Sequence, residues 1–221
     1  MKVLVVGASR GLGLEFVRQY CADGASVMAT ARDDAGLHRL RKLGATAFIL
    51  NVADAASASG LARAIDGAAF DVAVVNAGVY GPKSGALHAP SADEFDHVMH
   101  TNVLGPMRVL PQLAEALAPG ARIAVISSRM GSLGLRTGAN GGLYRASKAA
   151  VNSVLKDASI VLEGRAICVA FHPGWVRTDM GGAGADLGPE QSVADMRRTL
   201  AALTVADNGR FLNHDGAALA W

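Results

Sequence analysis

The N-terminal segment combines a strand, a glycine-rich turn and a helix, and this combination restricts the fold more than any other feature. Val3–Val6 is a short continuous apolar run, typical of a strand buried on both faces of a parallel sheet. GASRGLG follows at residues 7–13 and leads into a helical pattern. Gly7 and Gly11 allow the turn, Gly13 allows close packing, and the helix N-terminus offers amides to a pyrophosphate. The segment predicts a dinucleotide site, although its G-x-x-x-G-x-G spacing leaves a plain strand-to-helix turn as the alternative.

Strand and helix patterns alternate along the rest of the 221 residues. Further strands are predicted at 26–30, 47–50, 71–75, 123–126, 165–171 and near 211. Helices are predicted after residue 13, at 54–64, from Ser91 to about Ala118, from Tyr144 to about Leu162 and after Pro189. Pro106 and Pro111 should kink or break the helix that Ser91 caps.

This alternation predicts parallel βαβ crossovers, with the ligand crevice at the carboxyl ends of the strands. The predicted fold class is α/β: a single-domain Rossmann fold with a doubly wound parallel β-sheet of about seven strands and helices on both faces. One domain covers residues 1–221, with a short substrate lid around 179–190.

Composition excludes several other classes of protein. The net charge of +2 is too near neutral to favour nucleic acid or an anionic membrane as a partner. Cys21 and Cys168 have no metal or redox spacing, and they fit buried thiols in a reducing cytosol. His88, His97 and His100 have no spacing that suggests a metal. With neither a signal-peptide pattern nor a bilayer-spanning apolar run, we expect a cytoplasmic protein with a small-molecule substrate.

Tyr144 and Lys148 lie four residues apart, so on a helix their side chains share one face. A nearby cation favours the charged form of a tyrosine, whose pKa is otherwise about 10. The pair alone equally fits a buried ring beside a lysine that reaches solvent. The other motifs favour acid–base chemistry, since each lies at a predicted strand end or on the helix that follows one.

The end of the second strand predicts which cofactor is bound. An acidic residue there would bind a ribose 2′-hydroxyl, whereas an arginine can accommodate a 2′-phosphate. Arg32 occupies this strand end and Arg10 lies in the glycine turn, which favours NADP(H) over NAD(H). Asp33 and Asp34 favour NAD(H), but they also fit as caps of the next helix.

Six stretches, GASRGLG, VNAG, ISSRMGS, YRASKAAVN, HPGWVRTDMGG and DGAALAW, occur in an order that resembles the short-chain dehydrogenase/reductase family. The resemblance covers essentially the whole chain and is greatest to the C-factor-like and carbonyl-reductase-like branch. It implies a catalytic trio of Ser128, Tyr144 and Lys148, with Asn102 holding a water in a proton relay. Ser128 is chosen over Ser127 because the Arg-Met-Gly that follows it matches the family pattern.

The resemblance also implies a set of cofactor-binding residues. Together with Arg32, these are Gly7, Ser9, Arg10, Gly11, Leu12, Gly13, Asn51, Val52, Asn76, Ala77, Gly78, Tyr144, Lys148, Pro173, Gly174, Val176 and Thr178. The chain departs from the family pattern in having Asn51 where aspartate is usual. It also has a longer segment between Ser128 and Tyr144 and a short lid.

The function implied is NADP(H)-dependent hydride transfer between the nicotinamide and a carbonyl or alcohol. The alternative is a dinucleotide-binding sensor or signalling protein with little turnover. A homodimer or homotetramer, packed through the helices around Asn102 and Tyr144, is also implied. Met130, Leu133 and Met180 are expected to line the substrate pocket, and His172 is interpreted as a strand-end histidine rather than a base.

Overall fold

The sheet of the computed structural model, which describes residues 1–85 and 87–221, contains seven parallel strands. These are β1 (Lys2–Val6), β2 (Ser26–Ala31), β3 (Thr46–Ile49), β4 (Phe70–Val75), β5 (Leu117–Ile126), β6 (Ala166–His172) and β7 (Arg210–Asn213). Their order is β3-β2-β1-β4-β5-β6-β7, and every neighbouring pair is parallel. The order reverses between β1 and β4, which creates the crevice where such sheets bind ligands. The predicted fold class is confirmed.

Helices cover both faces of the sheet. They are α1 (Gly11–Ala22), α2 (Asp34–Lys42), α3 (Ala55–Ser59), α4 (Leu61–Ala64), α5 (Ala92–Met99), α6 (Gly105–Ala114), α7 (Gly142–Val161) and α8 (Pro189–Ala202). Successive β1 side chains enter opposite cores: Val3 and Val5 pack with α1, α2 and α8, whereas Leu4 and Val6 pack with α4, α6 and α7. This two-sided burial explains the continuous apolar runs.

The predicted helix from Ser91 to Ala118 is wrong in its length. It is divided into α5, a π-helical turn at His100–Leu104, and α6. A π-helical turn precedes Pro106, which lies in the first turn of α6, where its missing N–H costs little. The helix is not broken at Pro111, which lies inside α6. The helix ends at Ala114 because β5 already begins at Leu117.

Two other boundaries also differ from the sequence prediction. The helix predicted at 54–64 is two short helices that meet at Gly60, the first capped by Asp54, whose carboxylate accepts from the Ser57 N–H (2.6 Å). The predicted lid at 179–190 includes the first turn of α8, which begins at Pro189. The loop itself is therefore residues 179–188.

Gly13 fixes the start of α1 against the strand ends. The Asn76 Nδ2 group donates to the Gly7 carbonyl oxygen (2.6 Å), which joins the end of β4 to the end of β1. A Cβ on Gly13 would lie 2.3 Å from that oxygen and 2.7 Å from Asn76 Nδ2. Both atoms belong to the junction itself, so neither can move without breaking it.

We therefore expect Gly13→Ala to lower the free energy of unfolding by about 1–3 kcal/mol, as overpacking typically does. Urea unfolding followed by circular dichroism measures this change. Gly60→Ala is the matched control, because Gly60 has a φ of −79° and a Cβ there would meet nothing closer than 3.6 Å. Equal stabilities of the two variants would contradict the close contact at Gly13.

Candidate active site

A groove runs along the carboxyl ends of the strands, across the point where strand order reverses. We call it the strand-end groove, and most of the predicted cofactor-binding residues line it: Gly7, Ser9, Arg10, Gly11, Leu12, Arg32, Asn51, Val52, Asn76, Ala77, Gly78, Tyr144, Lys148, Pro173 and Thr178. Gly7 has a φ of +83°, and a Cβ on it would lie 2.6 Å from Ala77 Cα. Only glycine fits this position, which keeps the backbone of the turn open to a ligand.

Three predicted cofactor-binding residues do not line this groove. Gly13 lies behind it and serves the packing described above. Gly174 and Val176 line a neighbouring cavity instead. Val176 is buried and forms a bridge to Leu187, so it holds the loop after β6 in position.

Two arginines, Arg10 and Arg32, lie at the end of the groove beside β2. Arg10 forms an exposed ion pair with Asp179 of the following loop (2.9 Å), and Arg32 lines the groove. Asp33 is confirmed as a helix cap, because its carboxylate accepts from the Gly36 N–H (2.6 Å). Sequence reasoning missed Arg39 as a neighbour of the turn: its Nε donates to the Ser9 carbonyl oxygen (3.0 Å).

Tyr144 and Lys148 lie one turn apart on α7, and both side chains are buried. The Lys148 Nζ donates to the carbonyl oxygen of Ile126, the last residue of β5 (2.9 Å), and lies 5.7 Å from the centre of the Tyr144 ring. Burial lowers the pKa of Lys148 to about 8.

Burial dominates the acidity of Tyr144. It raises the pKa of Tyr144 to about 12, although a hydrogen bond with Ser128 acts in the opposite direction. Lys148 is not among the groups that shift this pKa, so the sequence prediction that it lowers the pKa of Tyr144 is wrong. At neutral pH the Tyr144 phenol is protonated.

Of the two adjacent serines, Ser128 is the one beside Tyr144. Its hydroxyl oxygen accepts from the Met130 N–H (3.1 Å) at the start of a 3₁₀ turn, Arg129–Gly131. The Ser127 hydroxyl donates instead to Asn152 Oδ1 inside the protein. This geometry supports the choice of Ser128 made from the sequence.

Asn102 lies in the π-helical turn and ties the active-site elements together. Its Oδ1 accepts from the Val79 N–H (2.8 Å), and its Nδ2 donates to the Val79 carbonyl (2.8 Å) and to Ser147 Oγ (2.9 Å). Because the side chain is engaged, a water would bind its main-chain carbonyl. In a regular α-helix that carbonyl would accept from residue 106, and Pro106 has no N–H.

The second cavity, which we call the wide cavity, has a volume of about 860 Å³, within the range of small-molecule sites. Its lining includes Leu12, Tyr80, Lys83, Ser128, Arg129, Met130, Tyr144, Arg145, His172, Gly174, Trp175, Val176 and Met180. Met130 and Met180 line it as predicted, whereas Leu133 is exposed and does not.

Tyr80 is a site residue that sequence reasoning missed. Its ring stacks on that of Tyr144, with centres 4.6 Å apart and planes 25° apart. It follows Asn76-Ala77-Gly78 by two residues, so the aromatic residue next to a strand-end motif was the available signal. The stack fixes the ring of Tyr144 from the side of the wide cavity.

His172 ends β6, as its interpretation as a strand-end residue predicts, and it also borders the wide cavity. Its Nδ1 is buried without a hydrogen-bond partner in the described part of the chain. Burial, followed by His214 and Arg129, lowers the pKa of His172 to about 4. The ring is therefore neutral at physiological pH.

The comparisons with known proteins agree with this geometry. The family model described as short chain dehydrogenase matches residues 1–186, so the chain belongs to that family of oxidoreductases and the resemblance is confirmed. The C-signal protein of Myxococcus xanthus is 38% identical over 154 residues, which is 68% of this chain and 92% of that protein.

Two solved structures superpose on nearly the whole chain. A carbonyl reductase of Pseudomonas aeruginosa PAO1 in complex with NADP has a TM-score of 0.88 and 32% identity, covering 100% of this chain and 99% of its own. Carbonyl reductase Sniffer of D. melanogaster has a TM-score of 0.89 and 30% identity, with the same coverage.

None of the helices within residues 1–85 and 87–221 has the length and apolar character needed to span a membrane. The same residues contain no group of three or more histidine, cysteine, aspartate or glutamate side chains placed to hold a metal ion.

The half-buried His172, whose Nδ1 atom is buried, predicts a pH dependence of stability. Its pKa falls from 6.5 to about 4 on folding, so the unfolded chain binds the proton first as pH falls below 6.5. Stability is fully present above that pH and decreases below it. Between pH 7 and pH 5 this group should remove about 2 kcal/mol from the free energy of unfolding.

His172→Leu should lose this part of the pH dependence, measured by urea unfolding at several pH values. His38→Leu is the control, because His38 is exposed on α2. Parallel pH profiles for wild type and His172→Leu would contradict a histidine that is neutral in the folded protein.

Proposed function

We propose that the protein is an NADP(H)-dependent oxidoreductase that interconverts a carbonyl and an alcohol through Ser128, Tyr144 and Lys148. One observation carries the proposal: Tyr144 lines both the strand-end groove and the wide cavity. A proton donor at this junction can serve a substrate in the cavity while a cofactor lies in the groove. Membership of the short chain dehydrogenase family and the likeness to two carbonyl reductases support it.

The groove fits a phosphorylated dinucleotide. The open backbone at Gly7 and the N-terminus of α1 suit the pyrophosphate, and Arg10 and Arg32 suit a 2′-phosphate. The structural neighbour from Pseudomonas aeruginosa was crystallised with NADP. When bound, NADPH would supply the hydride that adds to the carbonyl carbon. A proton on the oxygen completes the alcohol.

Ser128, Tyr144 and Lys148 would each have a different role in the acid–base chemistry. The Ser128 hydroxyl would donate a hydrogen bond to the substrate oxygen, where negative charge develops. Tyr144, whose pKa of about 12 keeps it protonated, would donate the proton. Such a positioned acid is worth roughly a hundred- to ten-thousand-fold in rate. The Lys148 ammonium would stabilise the phenolate that remains.

Asn102 would connect this site to solvent through a water on its main-chain carbonyl. Gly78 leaves the space between the Asn102 and Lys148 side chains open. A Cβ on it would lie 3.3 Å from Asn102 Oδ1 and 3.4 Å from Lys148 Nζ. A water relay at this point would return a proton to Tyr144 by way of Lys148.

A homodimer or homotetramer belongs to the same proposal. The exposed apolar side chains of Phe95 on α5 and Met107 on α6 are available to such an interface. Both helices adjoin the π-helical turn that carries Asn102.

The second candidate function is a dinucleotide-binding sensor or signalling protein with little turnover. The observation that favours it is the 38% identity to the C-signal protein of Myxococcus xanthus. The assembled Ser128, Tyr144 and Lys148 favour the enzyme instead, because a sensor needs to bind the cofactor but needs no proton donor.

Replacing the proton donor tests the proposed reaction. We expect NADPH oxidation in the presence of aldehydes, ketones or quinones, followed by loss of its absorbance, and a loss of at least a hundred-fold in kcat for Tyr144→Phe. Tyr20→Phe is the control, because that ring is buried far along α1 from the groove lining.

NADPH binding by fluorescence separates the two candidates. If Tyr144→Phe retained turnover within a few-fold of wild type, the assignment of Tyr144 would be wrong. If wild type bound NADPH tightly yet reduced no carbonyl, the sensor would replace the reductase.

The cofactor preference gives a separate test. We expect kcat/KM to be higher for NADPH than for NADH, and Arg32→Gln to reduce that ratio about ten-fold, because a charge-assisted hydrogen bond is lost. Asp179→Asn should raise the ratio, since it frees Arg10 from its ion pair. Lys42→Gln, at an exposed cation of α2, is the control. Equal or better turnover with NADH in wild type would contradict the preference.

A further inference from the structure

The charged side chains that line the wide cavity all carry the same sign. Lys83, Arg129 and Arg145 line it, and among its lining residues within the described chain there is no aspartate or glutamate. The protein as a whole carries a net charge of only +2. The positive charge of the cavity is therefore a local feature of the molecule.

These three cations are not neutralised by the protein. Among residues 1–85 and 87–221, the ion pairs of arginine and lysine involve other side chains. Asp179, next to two residues that line the cavity, is paired with Arg10. A ligand in the cavity therefore meets uncompensated positive charge.

The side chain of Arg145 is positioned by one hydrogen bond and keeps donors for a ligand. It is half-buried, and its Nε donates to the Asn140 carbonyl oxygen (2.8 Å), the one hydrogen bond of its side chain within the described residues. This bond fixes the guanidinium while its terminal nitrogens keep their donors. A planar guanidinium matches the two oxygens of a carboxylate or phosphate.

Arg129 adds a further positive charge to the lining of the wide cavity. It belongs to the 3₁₀ turn that begins after Ser128, and its charge opposes protonation of His172 at the end of β6. Tyr80, stacked on Tyr144, supplies an aromatic face for the body of a substrate.

We propose that the substrate of the reductase is an anionic carbonyl compound, whose carbonyl lies at Ser128 and Tyr144 and whose carboxylate or phosphate is bound by Arg129, Arg145 and Lys83. This inference rests on the proposed function. A neutral substrate would leave three cations of the cavity without a counter-charge, whereas an anionic one is attracted into the site and oriented by it.

Two aldehydes that share a ring and differ in charge test the proposal. 4-Carboxybenzaldehyde is compared with its neutral methyl ester, methyl 4-formylbenzoate, in NADPH oxidation. The ester group withdraws more electron density, so chemical reactivity alone favours the ester. We expect kcat/KM to be at least ten-fold higher for the acid. A third aldehyde, 4-formylphenyl phosphate, distinguishes a phosphate site from a carboxylate site.

Arginine variants connect the preference to the cavity. Arg145→Gln and Arg129→Gln should each lower the ratio of kcat/KM for the acid to kcat/KM for the ester at least three-fold. The double variant should bring this ratio close to one. Arg129 has no side-chain hydrogen bond within the described residues, so its replacement leaves the loop intact. Arg136→Gln is the matched control, because Arg136 is an exposed cation of the same loop outside the lining. Its ratio should stay within two-fold of wild type.

Binding distinguishes failure of this inference from failure of the proposed function. Benzoate, phenyl phosphate and benzamide are titrated against the NADP⁺-saturated protein by saturation-transfer NMR. Preferential binding of an anion that is lost in Arg145→Gln supports the anion site even if no aldehyde is reduced. Turnover of the ester equal to or above that of both anions, or equal binding of benzamide and the anions, would overturn the proposal.

Discussion

The buried ammonium of Lys148 is the constraint on which the active site depends. Taking a charged amine out of water is costly, which is why its pKa falls to about 8. Its bond to the Ile126 carbonyl uses one of three N–H groups and ties α7 to the end of β5. Tyr144, one turn earlier on α7, is thereby directed to the junction of the strand-end groove and the wide cavity. The position of Tyr144 is set by the sheet rather than by a loop.

Close packing at two further points makes this position unique. A Cβ on Gly131 would lie 2.7 Å from the main chain of Lys148, so the turn after β5 rests directly on α7. Asn102 binds both the segment after β4 and Ser147 of the same helix. The segments that follow β4 and β5 thus meet the π-helical turn around one turn of α7. Elements that carry a site on a rigid scaffold hold catalytic geometry better than loops do.

Local sequence patterns predict the strands, the glycine turn and the order of the motifs, because each depends on a few adjacent residues. They do not predict the start of β5. Pro119 and Gly120 lie where its pairing with β4 shifts register, so the first part of this strand looks like a loop. Tyr80 was missed as a site residue for another reason. Its position depends on how the irregular segment after β4 folds over the wide cavity, which no sequence periodicity records.

The acidity of Tyr144 follows from the same burial that fixes its position. Desolvation holds its pKa near 12 and that of Lys148 near 8, so the neutral phenol and the ammonium coexist around neutral pH. Proton donation to a substrate would create a buried phenolate, and the nearest compensation is the ammonium that the Ile126 carbonyl already holds. The two groups would therefore titrate as a pair. In the proposed reaction, the proton that reduction requires would start on Tyr144, and Lys148 would be the nearest group to balance the charge left behind.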